Sequence, residues 1–324
     1  MKIIVALVWF ALGFVAMPSQ ASIIAGPQPP PVFLPFIANA PTLNDCTQTG
    51  RPFTDAVVHG GVLVISRQDG AIFRDCKLWI TVPVNPAGEG GLNALATDGR
   101  NLWAGYVNAA GRIVVADITT GTPAVIADFG AAGNKHNAAG LLYSNGVLLF
   151  GIGDNETPVA AQDDASARGK VWTINPQTGE KAITAKGFRN PWHIAQVGGA
   201  IYISDVGEVK FEEINVYARG ANYGWPCFEG SERRMYDCGY GANVTPATVA
   251  PHVAYGRDMG RGVVGVASLG GVLVYADFAG DVRTFNGAQV RRVDGLVSKL
   301  TMAGGVPVVL TFKGGKALAE VWSS

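Results

Sequence analysis

A histidine set among small residues is the first candidate for chemistry in this chain. His136 lies in Gly133-Asn134-Lys135-His136-Asn137-Ala138-Ala139-Gly140, ahead of the apolar runs Leu141-Leu142-Tyr143 and Val147-Leu148-Leu149-Phe150. Small neighbours let a ligand approach an imidazole closely, as a general base requires. A loop histidine without that duty is an ordinary surface residue. Arg189-Asn190-Pro191-Trp192-His193 forms a second polar knot. Its arginine offers a fixed fork for carboxylates or carbonyls, or pairs structurally with an acid. Asp205-Val206-Gly207-Glu208, followed by Glu212-Glu213, gathers four carboxylates within nine residues. Oxygen-rich loops suit Ca²⁺, although this spacing is not that of an EF-hand. Two carboxylates also suggest glycoside hydrolysis, and a solvated acidic loop is the third reading. Asn222-Tyr223-Gly224-Trp225-Pro226 either packs under a loop or lines a sugar site. The sequence has no Walker, HExxH or GxSxG motif, and its one GxGxxG string, Gly260-Arg261-Gly262-Val263-Val264-Gly265, opens no helical period. The commonest nicotinamide, nucleotide, zinc-protease and esterase readings are thereby set aside.

The elements that must position these groups are short strands. Val62-Leu63-Val64-Ile65, Leu102-Trp103-Ala104-Gly105-Tyr106, Ile113-Val114-Val115-Ala116, Val171-Trp172-Thr173-Ile174, Ile201-Tyr202-Ile203-Ser204 and Val272-Leu273-Val274-Tyr275 are apolar or alternating runs of β-formers. Turn pairs such as Asp69-Gly70, Asp98-Gly99, Asn145-Gly146, Gly198-Gly199, Gly270-Gly271 and Asn286-Gly287 separate them. No stretch of a dozen residues keeps a helical period free of Gly and Pro. Such a pattern predicts a sandwich, barrel or propeller. The length exceeds one sandwich and divides into six units of roughly 50 residues, near the size of a four-stranded blade. The expected fold is therefore all-β, a six-bladed β-propeller of short four-stranded antiparallel blades over residues 46–324. An extended Pro- and Gly-rich lead-in is expected over 22–45.

The composition narrows the partners. The 324 residues carry 25 Lys and Arg against 25 Asp and Glu, and charged residues make up only 15%. A balanced chain lacks the electrostatic footprint of a nucleic-acid or anionic-membrane binder. Its 48% hydrophobic content is too high for disorder, and its 43 glycines are nearly twice ordinary usage. Lys2, an apolar run over 3–17, and Ser19 and Ala21 before the next segment read as a cleaved signal peptide over 1–21. Export to the periplasm or beyond is expected, with no stable membrane insertion afterwards. In that compartment the four cysteines read as disulfides, for which three connectivities exist. The sequence-local pairs Cys46–Cys76 and Cys227–Cys238 are expected.

Taken in order, these segments resemble the glucose/sorbosone dehydrogenases, soluble quinoproteins that use pyrroloquinoline quinone (PQQ). The resemblance rests on Arg67-Gln68-Asp69-Gly70, Gly88-Glu89-Gly90-Gly91-Leu92, His136-Asn137-Ala138-Ala139-Gly140-Leu141, Gly151-Ile152-Gly153-Asp154, Ala161-Gln162-Asp163-Asp164, Gly187-Phe188-Arg189-Asn190-Pro191-Trp192, Asp205-Val206-Gly207-Glu208 and Asn222-Tyr223-Gly224-Trp225-Pro226. It implies a six-bladed propeller that oxidises an aldose at C1 to the lactone, passing hydride to PQQ. His136 would take the anomeric proton. Arg189 and Asn190 would hold the cofactor and stabilise charge on its carbonyl oxygen. Glu89 would lie near the sugar, and Arg291, with Arg292, would match a C-terminal basic pair of the cofactor site. The backbone carbonyls of Gly207 and Glu208 would hold Ca²⁺, with Glu212 and Glu213 as further candidates. A sugar and an electron acceptor are the implied partners. Two departures stand out: Ala138-Ala139 replaces a glycine pair, and Phe278 stands where the family's glucose dehydrogenases place a lysine. The competing expectation is a non-catalytic propeller that binds carbohydrate or a protein.

Overall fold

The computed structural model describes residues 24–25, 43–234, 238 and 248–322. The expected signal peptide, and nearly all of the lead-in over 22–45, lie outside the described residues. Six antiparallel sheets of four-strand blades, each built mainly from one stretch of chain, make the propeller. Blade 1 comprises Phe53–His59, Val62–Arg67, Ala71–Arg74 and Lys77–Thr81, and blade 2 comprises Leu92–Thr97, Leu102–Val107, Arg112–Asp117 and Ala124–Ala131. Blade 3 comprises Ala138–Ser144, Val147–Ile152, Lys170–Ile174 and Lys181–Lys186. Pro191–Val197, Ala200–Asp205, Phe211–Val216 and Val253–Gly256 form blade 4, where Ile24–Ala25 adds an outer strand. Val263–Leu269, Val272–Asp277, Asp281–Thr284 and Gln289–Arg292 form blade 5. Blade 6 takes Leu296–Ala303, Val306–Lys313 and Lys316–Val321, then borrows Cys46–Thr49 from the start of the domain as its outer strand. That borrowed strand closes the ring, so the first and last parts of the domain hold each other.

The ring is held by six apolar clusters, one between each pair of neighbouring blades. Trp103 of blade 2 stacks on Tyr143 of blade 3 with centroids 5.3 Å apart, and Phe53, Ile65 and Phe73 of blade 1 pack on Val308, Leu310 and Ala319 of blade 6. A strand covered on both faces by neighbouring blades needs no polar face, which is why Leu102–Val107 is buried at every position. Both expected disulfides form: Cys46–Cys76 ties the borrowed strand of blade 6 to blade 1, and Cys227–Cys238 closes a loop of blade 4.

The topology fixes where the candidate groups gather. The inner strands of successive blades stand side by side around the axis. In an antiparallel blade, the start of the inner strand and the end of the second strand share one mouth of the ring. The loops before the inner strands hold Glu89, His136, Arg189 and Asn190. The turns after the second strands hold Gln68, Asp154, Gly207 and Phe278. Each inner strand also carries a bulge at its start, between Phe53/Asp55, Leu92/Ala94, Ala138/Gly140, Pro191/His193, Val263/Gly265 and Val297/Lys299. Bulges at strand ends turn the backbone out of its ladder and re-aim the residues beside them.

Candidate active site

His136 is buried at this mouth, and its ring Nδ1 lies 2.7 Å from Oδ1 of Asp154. A carboxylate only accepts, so Nδ1 carries a proton, and in the neutral ring the lone pair is then on Nε2. That is the tautomer a general base needs. Asp154 is itself held: Oδ1 accepts the Glu156 N–H at 2.9 Å, and Oδ2 accepts the Trp225 indole N–H at 2.9 Å. The backbone at His136 has φ 54°. Its N–H donates to Oε2 of Glu89 at 2.7 Å, and its carbonyl accepts from the Asn155 amide at 2.7 Å. Glu89 is therefore brought against the His136 backbone. Gly153 explains part of the Gly-rich motif: a Cβ there would lie 2.5 Å from the His136 carbonyl oxygen, 2.7 Å from the His136 Cβ and 2.9 Å from the Arg189 carbonyl oxygen. Only a glycine lets His136 and Arg189 close on the same point.

Arg189 and Asn190 are set by Asp205, whose two oxygens accept their successive N–H groups at 3.0 and 2.6 Å. Burial pushes the Asp205 carboxyl upward against those two donors. The Asp154 N–H donates to the Arg189 carbonyl at 2.8 Å, which joins the histidine and arginine parts of the site. The Arg189 guanidinium donates through Nη1 to the carbonyls of Val206 at 3.0 Å and Gly207 at 2.7 Å. The Asn190 carboxamide, only 4% exposed, has no hydrogen-bond partner among the described residues. A cavity of about 170 Å³ opens beside Glu89, lined also by Gln68, Asn93, Trp192, Lys299 and Phe278. Phe278 is 40% exposed there and presents an apolar wall.

The acidic loop is built differently from the expectation. Glu212 is fully buried; Oε2 accepts the N–H groups of Gly207 at 3.2 Å and Val263 at 3.1 Å, and Oε1 pairs with Arg257. Burial raises its carboxyl to about 7, although the Arg257 charge opposes this. Glu213 takes the Gly230 N–H and the Asn215 amide, and Glu208 pairs with Arg234. Arg257 donates through Nη2 to the carbonyls of Gly207 at 2.7 Å and Glu208 at 2.8 Å. The tight turn depends on Gly207, where a Cβ would meet the Phe211 carbonyl oxygen at 1.6 Å. The oxygens expected to hold Ca²⁺ are thus already bonded to two guanidinium groups, and the described residues include no cluster of three or more His, Cys, Asp or Glu placed to hold a metal. As they stand these residues do not fit a Ca²⁺ ion, which takes six to eight oxygen ligands.

Arg291 is not brought to the site. It lies on Gln289–Arg292, the outermost strand of blade 5, where it pairs with Glu320 at 2.7 Å and stacks over Trp322 at 4.2 Å. Three groups here carried no assigned role in the sequence, Asp154, Arg234 and Arg257, and Trp225 belonged to a segment left between packing and lining a sugar site. Arg189 and Arg234 both lie over the Trp225 ring, with Cζ at 5.6 and 4.3 Å from its centroid. Arg257 precedes the inner strand of blade 5 as Arg189 precedes that of blade 4, so equivalent placement was the available signal.

The Glucose / Sorbosone dehydrogenase family model matches residues 121–266, a span that holds His136, Asp154, Arg189, Asn190, Gly207 and Arg257. A curated relative, the HIPL1 protein of Arabidopsis thaliana, is 31% identical over 75 residues, which is 22% of this chain and 11% of that protein. The chain thus spans about a tenth of that relative's length. Among solved structures, a putative oxidoreductase (glucose dehydrogenase) of Thermus thermophilus superposes with a TM-score of 0.68 at 20% identity, covering 85% of this chain and 99% of that one. The PQQ-bound aldose sugar dehydrogenase of Streptomyces coelicolor gives 0.66 at 21% identity, over 87% and 100%. The apo form of the soluble aldose sugar dehydrogenase of Escherichia coli gives 0.67 at 18%, over 87% and 100%. At these identities the likeness to the solved structures is one of fold.

Proposed function

We propose, from a chain that resembles the glucose/sorbosone dehydrogenases and has their six-bladed fold, that this protein is an exported oxidoreductase that oxidises an aldose at C1 to its lactone. The observation that carries the reading is the His136–Asp154 pair at 2.7 Å, joined through the Asp154 N–H to Arg189 at the same mouth. PQQ, when bound, supplies a quinone that accepts hydride. The protein's part is to bind, orient and move a proton. His136 Nε2 takes the proton of the anomeric hydroxyl as the C1 hydrogen leaves with its electron pair. Asp154 keeps the imidazole in the accepting tautomer and stabilises the imidazolium that forms. Arg189 and the unpartnered Asn190 carboxamide fit the carbonyl and carboxylate oxygens of an anionic cofactor. The Phe278 and Trp192 side chains give the adjacent cavity an apolar wall against which a planar ring can lie. Glu89, tied to the His136 N–H, would orient the sugar beside that base. No step is routed through Ca²⁺, because its expected oxygens are taken. Two disulfides support export to an oxidising compartment, and an acceptor there would collect the electrons.

Phe278 favours a second reading, a propeller of the same family that binds carbohydrate or a protein without chemistry. Titration of the purified chain with PQQ, followed by an aldose panel with an artificial electron acceptor, separates the two. Saturable binding and sugar-dependent reduction, lost in His136→Ala, is the expected result. Absence of PQQ binding would leave the second reading.

A further inference from the structure

We infer that Arg257 supplies the cation of this site from the chain itself, so that the anionic cofactor binds without a divalent metal. The inference rests on the proposed quinone-binding function for its ligand, but its geometry stands alone. Four turn and loop oxygens surround two guanidinium groups. Arg257 Nη2 donates to the Gly207 carbonyl at 2.7 Å and the Glu208 carbonyl at 2.8 Å. Its Nη1 donates to the Arg261 carbonyl at 3.1 Å and pairs with Glu212. Arg189 Nη1 takes the Val206 carbonyl and shares the Gly207 carbonyl. Backbone carbonyls in that arrangement make a pocket of negative partial charge, and a cation is needed to fill it.

The placement is built rather than incidental. Glu212 is 0% exposed, its second oxygen is fixed by the N–H groups of Gly207 and Val263, and the Arg257 side chain is 29% exposed above it. Glu212 therefore anchors one side of a guanidinium that stays partly exposed. A dication at the Gly207 and Glu208 carbonyls would have to displace Arg257 from both and stand beside Arg189. The glutamates of this loop offer no spare carboxylate in exchange. Glu212 and Glu213 are engaged, Glu208 pairs with Arg234, and Oε1 of Glu229 accepts four backbone N–H groups. With both Nη groups engaged by the Gly207, Glu208 and Arg261 carbonyls and Glu212, Arg257 offers an anionic ligand a fixed positive charge rather than a free fork. The site trades an exchangeable ion for a covalently held one.

Two measurements on the full chain test this. Equilibrium dialysis with radioactive Ca²⁺, after EDTA treatment, needs no cofactor. No stoichiometric binding below millimolar Ca²⁺ is expected, and one tightly held ion per chain would overturn the inference. In the second, PQQ binding is followed by tryptophan quenching in EDTA and again with excess Ca²⁺. The two isotherms should coincide. Arg257→Gln should weaken binding in EDTA by at least about tenfold, and Arg257→Lys, which keeps the charge, should recover most of that loss. Binding that appears only after Ca²⁺ is added, or an Arg257→Gln variant that binds as the wild type does, would overturn it. Because Arg257→Gln leaves Glu212 unpaired and buried, the double variant Glu212→Gln/Arg257→Gln guards against a fold defect, checked by melting. Should PQQ bind under neither condition, the proposed function falls, and the Ca²⁺ dialysis alone decides the inference.

Discussion

Exchanging Asp154 for Asn tests the proposed chemistry at one atom. The carboxylate accepts from three donors: the His136 ring at 2.7 Å, the Glu156 N–H at 2.9 Å and the Trp225 indole at 2.9 Å. An asparagine has one oxygen and one NH2 to offer. Either orientation sets the NH2 against one donor, the buried Trp225 indole or the N–H of exposed Glu156, and only the second can turn to water instead. The oxygen therefore stays on Trp225 and the NH2 turns to His136. The imidazole must then accept at Nδ1 and carry its proton on Nε2, so the lone pair no longer points at a substrate. The Glu156 N–H loses its acceptor, at a cost of about 1–3 kcal/mol in stability. The kinetic cost is larger. Loss of a correctly poised general base is worth about 10²–10⁴ in kcat, or about 3–5 kcal/mol in the barrier at 1.36 kcal/mol per tenfold. KM should change little, because Arg189, Asn190 and Glu89 are untouched. The assay is sugar-dependent reduction of an artificial acceptor by the PQQ-loaded protein, paired with ¹⁵N NMR of the imidazole. The spectrum should show Nδ1–H in the wild type and Nε2–H in Asp154→Asn. A folded variant within about threefold of wild-type kcat, or a wild-type Nε2–H tautomer, would refute the reasoning.

Three further outcomes follow from packing and burial. Gly153→Ala drives a methyl into the His136 and Arg189 carbonyls; it should cost about 1–3 kcal/mol by urea unfolding and lower activity through displaced site residues. Lys299, fully buried, lies 3.5 Å from the buried Asp55 carboxylate. Lys299→Met should cost about 3–5 kcal/mol, and the added Asp55→Asn should recover part of it in a double-mutant cycle. Burial, reinforced by the nearby Asp205 charge, raises the Glu213 carboxyl above its ordinary 4.5. Above that value the folded chain holds a proton that the unfolded chain has released. The stability from this group is therefore complete below about pH 4.5 and declines as pH rises towards the raised value. Urea midpoints should show that decline, and it should be shallower in Glu213→Gln.

Turn pairs and apolar runs were enough to read strands from this sequence, because a blade buried on both faces leaves no polar alternation to confuse the pattern. Val62–Arg67 and Val272–Asp277 fall almost where the runs at 62–65 and 272–275 placed them. The Cys227–Cys238 pair was legible for a simpler reason: a loop of 11 residues costs little entropy to close. His136, Arg189 and Asn190 could be singled out by residue type alone. Their convergence could not be read that way. It depends on six inner strands entering the ring from one mouth, a relation between residues about 50 positions apart in the chain.

Residue identity determined which groups could do chemistry; the ring determined which of them do it together. Asp154 is one aspartate among many until blade 3 folds back to place it 2.7 Å from His136. Arg291 has the right charge, but its strand is the outermost of its blade and its guanidinium is spent on Glu320. The acidic loop reads as a metal site because carboxylates are written in the sequence and their partners are not. Arg257, about 50 residues downstream and on the next blade's threshold, reaches back to the Gly207 and Glu208 carbonyls only once blades 4 and 5 pack together. Charge and hydrogen-bonding capacity are local properties, whereas their satisfaction depends on distance in space. Only the tertiary structure sets that distance.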